Sequence, residues 1–181
     1  MSYRTLIRLI DWKYIILLFL FFDVANAEEI MISKYKYELH KGTIYFATSE
    51  QTLSKNDLDY KFTIVSNSAG IFKLKKDNRL EITNFTKKNG IIKPISYKYI
   101  KEKRDSVQLI ETFFQLDNNY AYTIHDENRY EHPNISYSLD RLSVQIDFQE
   151  KMKLGVFEYK YNVIDKGRMR KYSFVLHSDD V

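Results

Sequence analysis

The sequence predicts a mainly β domain: a curved antiparallel meander forming an open or closed barrel, with one helix near residues 138–150. Three observations carry this. Apolar and polar residues alternate with period two along much of the chain, short turn signals separate the alternating runs, and no helical pattern recurs between them. Fifteen tyrosines and twelve phenylalanines in 181 residues fit the same class, because aromatic side chains suit the pleated surface of a strand.

The first stretch separates from the domain. Arg4, Arg8 and Lys13 precede an unbroken apolar run from Tyr14 to Phe22, and Ala25-Asn26-Ala27 follows it. That order of charge, apolar run and small-residue site is the pattern of a secretory signal peptide. A membrane anchor is the competing reading, but spanning takes about 20 mostly apolar residues. Here Asp11 and Asp23 close the run at both ends. The expectation is cleavage after Ala27, a periplasmic protein without a permanent membrane anchor, and a single β-rich domain over residues 28–181.

The runs then follow in order. Tyr35, Tyr37 and Leu39 alternate with Lys34, Lys36, Glu38 and His40, and Leu58, Tyr60, Phe62 and Ile64 alternate with Asp57, Asp59, Lys61 and Thr63. Ile95, Tyr97 and Tyr99 continue the pattern, as do Tyr120, Tyr122 and Ile124. Two further runs are Phe157, Tyr159, Tyr161 and Val163, then Tyr172, Phe174 and Leu176. Each predicts a strand with one buried face. Turn signals stand at Lys41-Gly42, Asp77-Asn78, Asn89-Gly90, Asp117-Asn118-Asn119 and Asp165-Lys166-Gly167, all able to supply the positive φ of a tight hairpin. Short turns imply antiparallel neighbours.

One segment departs from this rhythm. From Ser138 to Glu150, Leu139, Leu142 and Ile146, with Val144 and Phe148, fall at three- and four-residue spacings, which predicts a helix with Ser138 as its N-cap. Pro133-Asn134 marks the loop before it and Gly155 its exit. Residues 168–176 should pair with 156–164, leaving the outer edge of that last strand either bare or missing a further C-terminal hairpin.

Composition narrows the chemistry. Without cysteine there is no disulfide, no thiolate nucleophile and no lipoprotein attachment point, so stability must come from a hydrophobic core. The net charge is +4, and removing three basic and two acidic signal residues leaves the domain at +3. So mild an excess does not point to nucleic acid; the clusters Lys73-Lys75-Lys76 and Lys101-Lys103-Arg104 read as turns and outer strand faces. His40, His125, His132 and His177 show no metal-binding spacing. His125 and His132, with Asp126, Glu127 and Glu131, read as a polar loop. No nucleophile elbow or glycine-rich phosphate loop is present. No catalytic residue, metal or cofactor is therefore expected. Asn84-Phe85-Thr86 and Asn134-Ile135-Ser136 match the glycosylation pattern, which matters only in a eukaryotic setting.

The strand from Tyr35 into Gly42, the stretch Ala69-Gly70-Ile71-Phe72, the segment from Gly90 to Tyr99, and Val163-Ile164-Asp165-Lys166-Gly167-Arg168 before a Tyr-x-Phe strand together resemble the bacterial family known as domain of unknown function 3108. The resemblance spans nearly all of residues 28–181. It implies an exported Gram-negative protein with a curved antiparallel sheet, a helix and no established catalytic residues; in outline the sheet is similar to the half-barrels of periplasmic lipoprotein carriers. The chain departs from the family where members continue with another hairpin after the Tyr-x-Phe strand. The functional expectation is a non-enzymatic binding module for a hydrophobic or amphipathic envelope component, with Tyr35, Tyr37, Tyr60, Phe62, Tyr97, Tyr99, Tyr159 and Tyr161 as lining. These residues suit a filled core equally well. The alternative is a partner that docks another envelope protein along an exposed edge strand.

Overall fold

The computed structural model describes residues 29–175; the segment expected to be a signal peptide and Leu176 lie outside the described residues. Eight strands form one antiparallel sheet in sequence order: β1 (Ile30–Lys41), β2 (Ile44–Asn56), β3 (Asp59–Ser68), β4 (Asn78–Lys88), β5 (Ile91–Lys103), β6 (Ser106–Gln115), β7 (Tyr120–His125) and β8 (Asn128–Pro133). Among the described residues β1 and β8 do not pair, so the meander is open. Three strands make a second sheet: β9 (Leu139–Asp140), β10 (Glu158–Asp165) and β11 (Arg168–Val175). β9 and β10 are parallel, joined by the helix α1 (Ser143–Lys153).

Turn chemistry sets the register. Asn89 and Gly90 both have positive φ, as do Lys166 and Gly167, which matches the right-handed twist of the flanking strands. The Leu116–Asn118 segment makes a short 3-10 turn that ends on Asn119 in the left-handed region. Positive φ at two successive residues recurs at Asp126-Glu127, so the expected polar loop around His125 is a β7–β8 hairpin. No glycine marks that turn in the sequence. Leu58 belongs to the β2–β3 turn, not to a strand. The break at Asp77-Asn78 is longer than a hairpin: a 3-10 turn over Gly70–Lys75 precedes it, and Asn78 already opens β4.

The core lies between the inner face of the large sheet, α1 and the small sheet. Phe62, Phe85, Ile92, Tyr97, Tyr99 and Ile110 contribute from the large sheet; Leu142, Val144, Ile146, Phe148, Tyr161 and Val163 close it. Burying a side chain of the size of Phe85, which is fully enclosed, contributes about 2–3 kcal/mol. A bulge makes this core possible in β5. Asn84 faces Ser96 while Phe85 faces Pro94, so Ile95 is the extra residue. Ile92 and Pro94 therefore share the buried face with Tyr97 and Tyr99, and Ile95 is exposed, contrary to the strict alternation.

Two further corrections concern which strand faces the rest of the chain covers. On β7 the covered residues are Ala121 and Thr123, while Tyr120, Tyr122 and Ile124 point outward. On β1 both faces remain largely exposed because α1 and the small sheet do not extend over that edge. The helix begins later than expected. Ser138 donates its hydroxyl towards the Met169 sulfur, and Asp140 accepts the Leu142 and Ser143 N–H groups at 2.8 and 3.0 Å. Pairing of Leu139 and Asp140 with Val163 and Ile164 draws the first residues of the predicted helix into β9.

Candidate functional site

The eight predicted lining residues divide by how far the covering layer extends. Phe62, Tyr97, Tyr99 and Tyr161 are buried in the core, and Tyr60 packs against it with its ring stacked on Phe85 at 5.4 Å. Tyr35, Tyr37 and Tyr159 are exposed. Tyr159 and Tyr161 are neighbours at 4.7 Å, and Tyr35 and Tyr37 sit together on β1. The structure does not bring all eight into one surface.

Polar groups stitch the filled part of the core. The Tyr97 hydroxyl donates to Glu81 Oε2 at 2.7 Å and the Tyr161 hydroxyl to Asp147 Oδ2 at 2.8 Å; burial pushes both phenols well above their ordinary range. Arg141 lies 3.8 Å from Glu81 and 3.7 Å from Asp165. Asp140 Oδ2 accepts hydrogen bonds from Thr83 and Ser143, yet burial outweighs all its donors and raises its carboxyl. His132 and Thr123 are 3.0 Å apart, and burial lowers the imidazole. These contacts tie elements together. None of these side chains lines the two clefts described next.

The larger cleft, about 740 Å³, opens at the end of the sheet where β1, β2 and β3 meet the Gly70–Lys75 turn. That volume falls within the range of small-molecule sites, about 300–1,000 Å³. Leu39, Ile44, Phe46, Ala47 and Phe72 supply its apolar surface, and Lys41, Arg79 and Lys103 bring three cations to it. Asp77 is the one acid in the lining. The Arg79 guanidinium bonds to Asp77 at 3.0 Å, which holds that carboxyl below its usual range, and Lys101 approaches the same group at 3.4 Å. Among the described residues Lys41 and Lys103 have no carboxylate partner.

Local backbone chemistry builds the wall. Ala69 N–H donates to the Phe46 carbonyl at 2.8 Å, pinning the turn to β2. Gly70 has φ +54 and lies so close that a Cβ there would sit 2.6 Å from the Tyr45 carbonyl oxygen. Ser68 Oγ accepts the Asp77 N–H at 2.8 Å and closes the loop. Phe72 is thereby held over the cleft. Sequence reading missed this lining because the first half of β2 and the β3–β4 connection lack a sustained period-two pattern; Gly70 was the one available signal.

A smaller groove of about 200 Å³ lies at the opposite end of β2 and β3, beside Tyr60, Glu29 and Ser54. Among the described residues there is no group of three or more His, Asp or Glu able to hold a metal ion, and no helix long and apolar enough to cross a membrane. Comparison with protein-family models, with curated proteins and with solved structures returned no match.

Proposed function

We propose that this protein is an exported, non-enzymatic binding module that holds a hydrophobic or amphipathic component of the cell envelope in the cleft between β1, β2, β3 and the Gly70–Lys75 turn. The observation that carries the reading is the pairing of a cleft of ligand size with an apolar wall and lining cations that have no carboxylate partner among the described residues. An apolar chain would lie against Leu39, Phe46, Ala47 and Phe72, and a polar or anionic head would meet Lys41 and Lys103. The resemblance to the exported family of unknown function and the signal-like N-terminal sequence support the same reading.

The test uses protein purified from the periplasmic fraction, examined by native mass spectrometry and by solvent extraction. An amphiphile should co-purify with the wild-type protein and be lost from Ala47→Trp, whose indole would occupy the cleft. Repeated recovery of the wild-type protein without any co-purifying lipid would overturn the proposal. A second reading rests on β11, whose outer edge has no strand partner among the described residues. An unpaired edge offers backbone donors and acceptors to an extended segment of an envelope protein. Co-purification of a stoichiometric protein partner in place of lipid would favour it.

A further inference from the structure

An antiparallel meander places alternate connections at the same end of the sheet. The β1–β2, β3–β4 and β5–β6 connections thus flank the larger cleft together, with β7–β8 at the far side. Counting the strand residues that border them, the first three carry Lys41, Lys73, Lys75, Lys76, Lys103 and Arg104 in sequence against Asp77 and Asp105. Lys76 is paired with Glu102 at 2.8 Å, and Asp77 is taken by Arg79 and Lys101. Among the described residues Lys41, Lys73, Lys103 and Arg104 remain without a carboxylate partner.

The same connections expose large apolar side chains. Ile71 and Leu74 are 74% and 80% exposed on the 3-10 turn, and Ile44, which borders the β1–β2 connection, is 50% exposed. One exposed leucine needs no explanation, but several on adjacent connections, set among cations, form an apolar tip with a basic rim. The opposite end of the sheet also exposes apolar residues, Leu58 at 77% and Ile91 at 56%, but its charge is reversed: its connections and bordering residues hold Asp57, Asp59 and Asp117 against Lys88. The acidic pair Asp126-Glu127 sits on the fourth connection, away from the cleft.

We propose that this end of the sheet docks on the surface of an anionic bilayer, with Ile71 and Leu74 entering the interface and the surrounding cations meeting lipid phosphates. Apolar insertion and cationic attraction act together at such surfaces, and neither alone holds a protein there firmly. Docking in this orientation turns the mouth of the cleft towards the lipid. Bilayer attachment stands whether or not the cleft carries a ligand, so its failure is distinguishable from failure of the cleft reading.

The cysteine-free chain allows a local test. An environment-sensitive dye is attached to Leu74→Cys, or to Leu58→Cys at the opposite end, where the side chain is 77% exposed. Each full-length protein, its fold checked by circular dichroism, is mixed with vesicles of phosphatidylcholine alone or with phosphatidylglycerol. The expected result is a blue-shifted, brighter dye at position 74 with anionic vesicles only, reversed by 1 M salt, and no change at position 58. Adding Lys73→Gln and Lys103→Gln should weaken partition by roughly 25-fold, about fivefold for each cation removed. No response at position 74, an equal response at both positions, or a response indifferent to lipid charge or to the two lysines would overturn the proposal. Any binding through the N-terminal apolar sequence would be common to both labelled proteins and is removed by comparing them.

Discussion

Asp140 is the residue on which the junction of the two sheets depends, and Asp140→Ala is the perturbation that measures it. The carboxyl is fully buried, with Oδ1 accepting the Leu142 and Ser143 N–H groups and Oδ2 the Thr83 and Ser143 hydroxyls. Truncation removes a helix cap, worth about 1 kcal/mol, and deprives buried donors of their acceptor, at about 1–3 kcal/mol. Thr83 and Ser143 keep only long contacts of 3.4 Å to the Ser96 and Asp140 carbonyls. The expected loss is about 3 kcal/mol, or roughly 10 °C in Tm for a protein of this size. Asp140→Asn keeps the Oδ1 acceptor, and both hydroxyls can rotate to accept from the amide, so its loss should be about 1 kcal/mol. Burial raises the native carboxyl above its unfolded value. The native state then binds more protons than the unfolded one across the interval above the ordinary value of 3.8, and the contribution of this residue falls as pH rises through that interval. Asp140→Asn cannot titrate, so it should gain on the wild type as pH rises above the ordinary carboxyl value of 3.8. Urea unfolding at several pH values measures both effects. Equal losses for Ala and Asn, or a gap between Asn and wild type that widens with rising pH, would refute the reasoning.

The remaining predictions use the same unfolding assay unless stated. Gly70→Ala should lose about 2–3 kcal/mol, because left-handed backbone and contact with the Tyr45 carbonyl act together, whereas Gly42→Ala, at φ +60 with open space around it, should lose only about 1 kcal/mol. Equal losses at the two positions would remove the case for a close approach at Gly70. Phe85→Ala should lose about 4 kcal/mol, the upper range for a fully enclosed aromatic ring. Ile95→Ala should change stability by less than about 1 kcal/mol, since the bulge turns this residue outward; a core-sized loss would contradict that register. N-terminal sequencing of the fractionated protein should begin at Glu28, and an intact Met1 in the membrane fraction would refute the export reading.

Much of this fold was legible locally. A period-two pattern needs only the pleat to be read, so the strands carrying Tyr60, Phe62 and Ile64, and Tyr159, Tyr161 and Val163, follow from their own residues. Hairpins at Asn89-Gly90 and Lys166-Gly167 follow in the same way, because positive φ is a property of the residue and its immediate neighbours. β2 and β6 were not legible from alternation: their polar residues fall on both faces, and pairing in the sheet holds them as strands.

The tertiary structure alone decided which faces are covered and where the cleft lies. Tyr35 and Tyr37 have the same local pattern as Tyr97 and Tyr99, yet the first pair is exposed and the second buried, because α1 packs over the middle of the sheet and leaves β1 uncovered. The start of α1 was set from outside the helix, by β10 pairing with Leu139-Asp140 and by Thr83, 57 residues earlier, bonding to Asp140. The cleft joins Leu39, Phe46, Phe72 and Lys103 from four segments, and nothing in the spacing of any one segment records the others. Side-chain alternation records that a strand has two faces; which face is buried depends on what the rest of the chain lays over it.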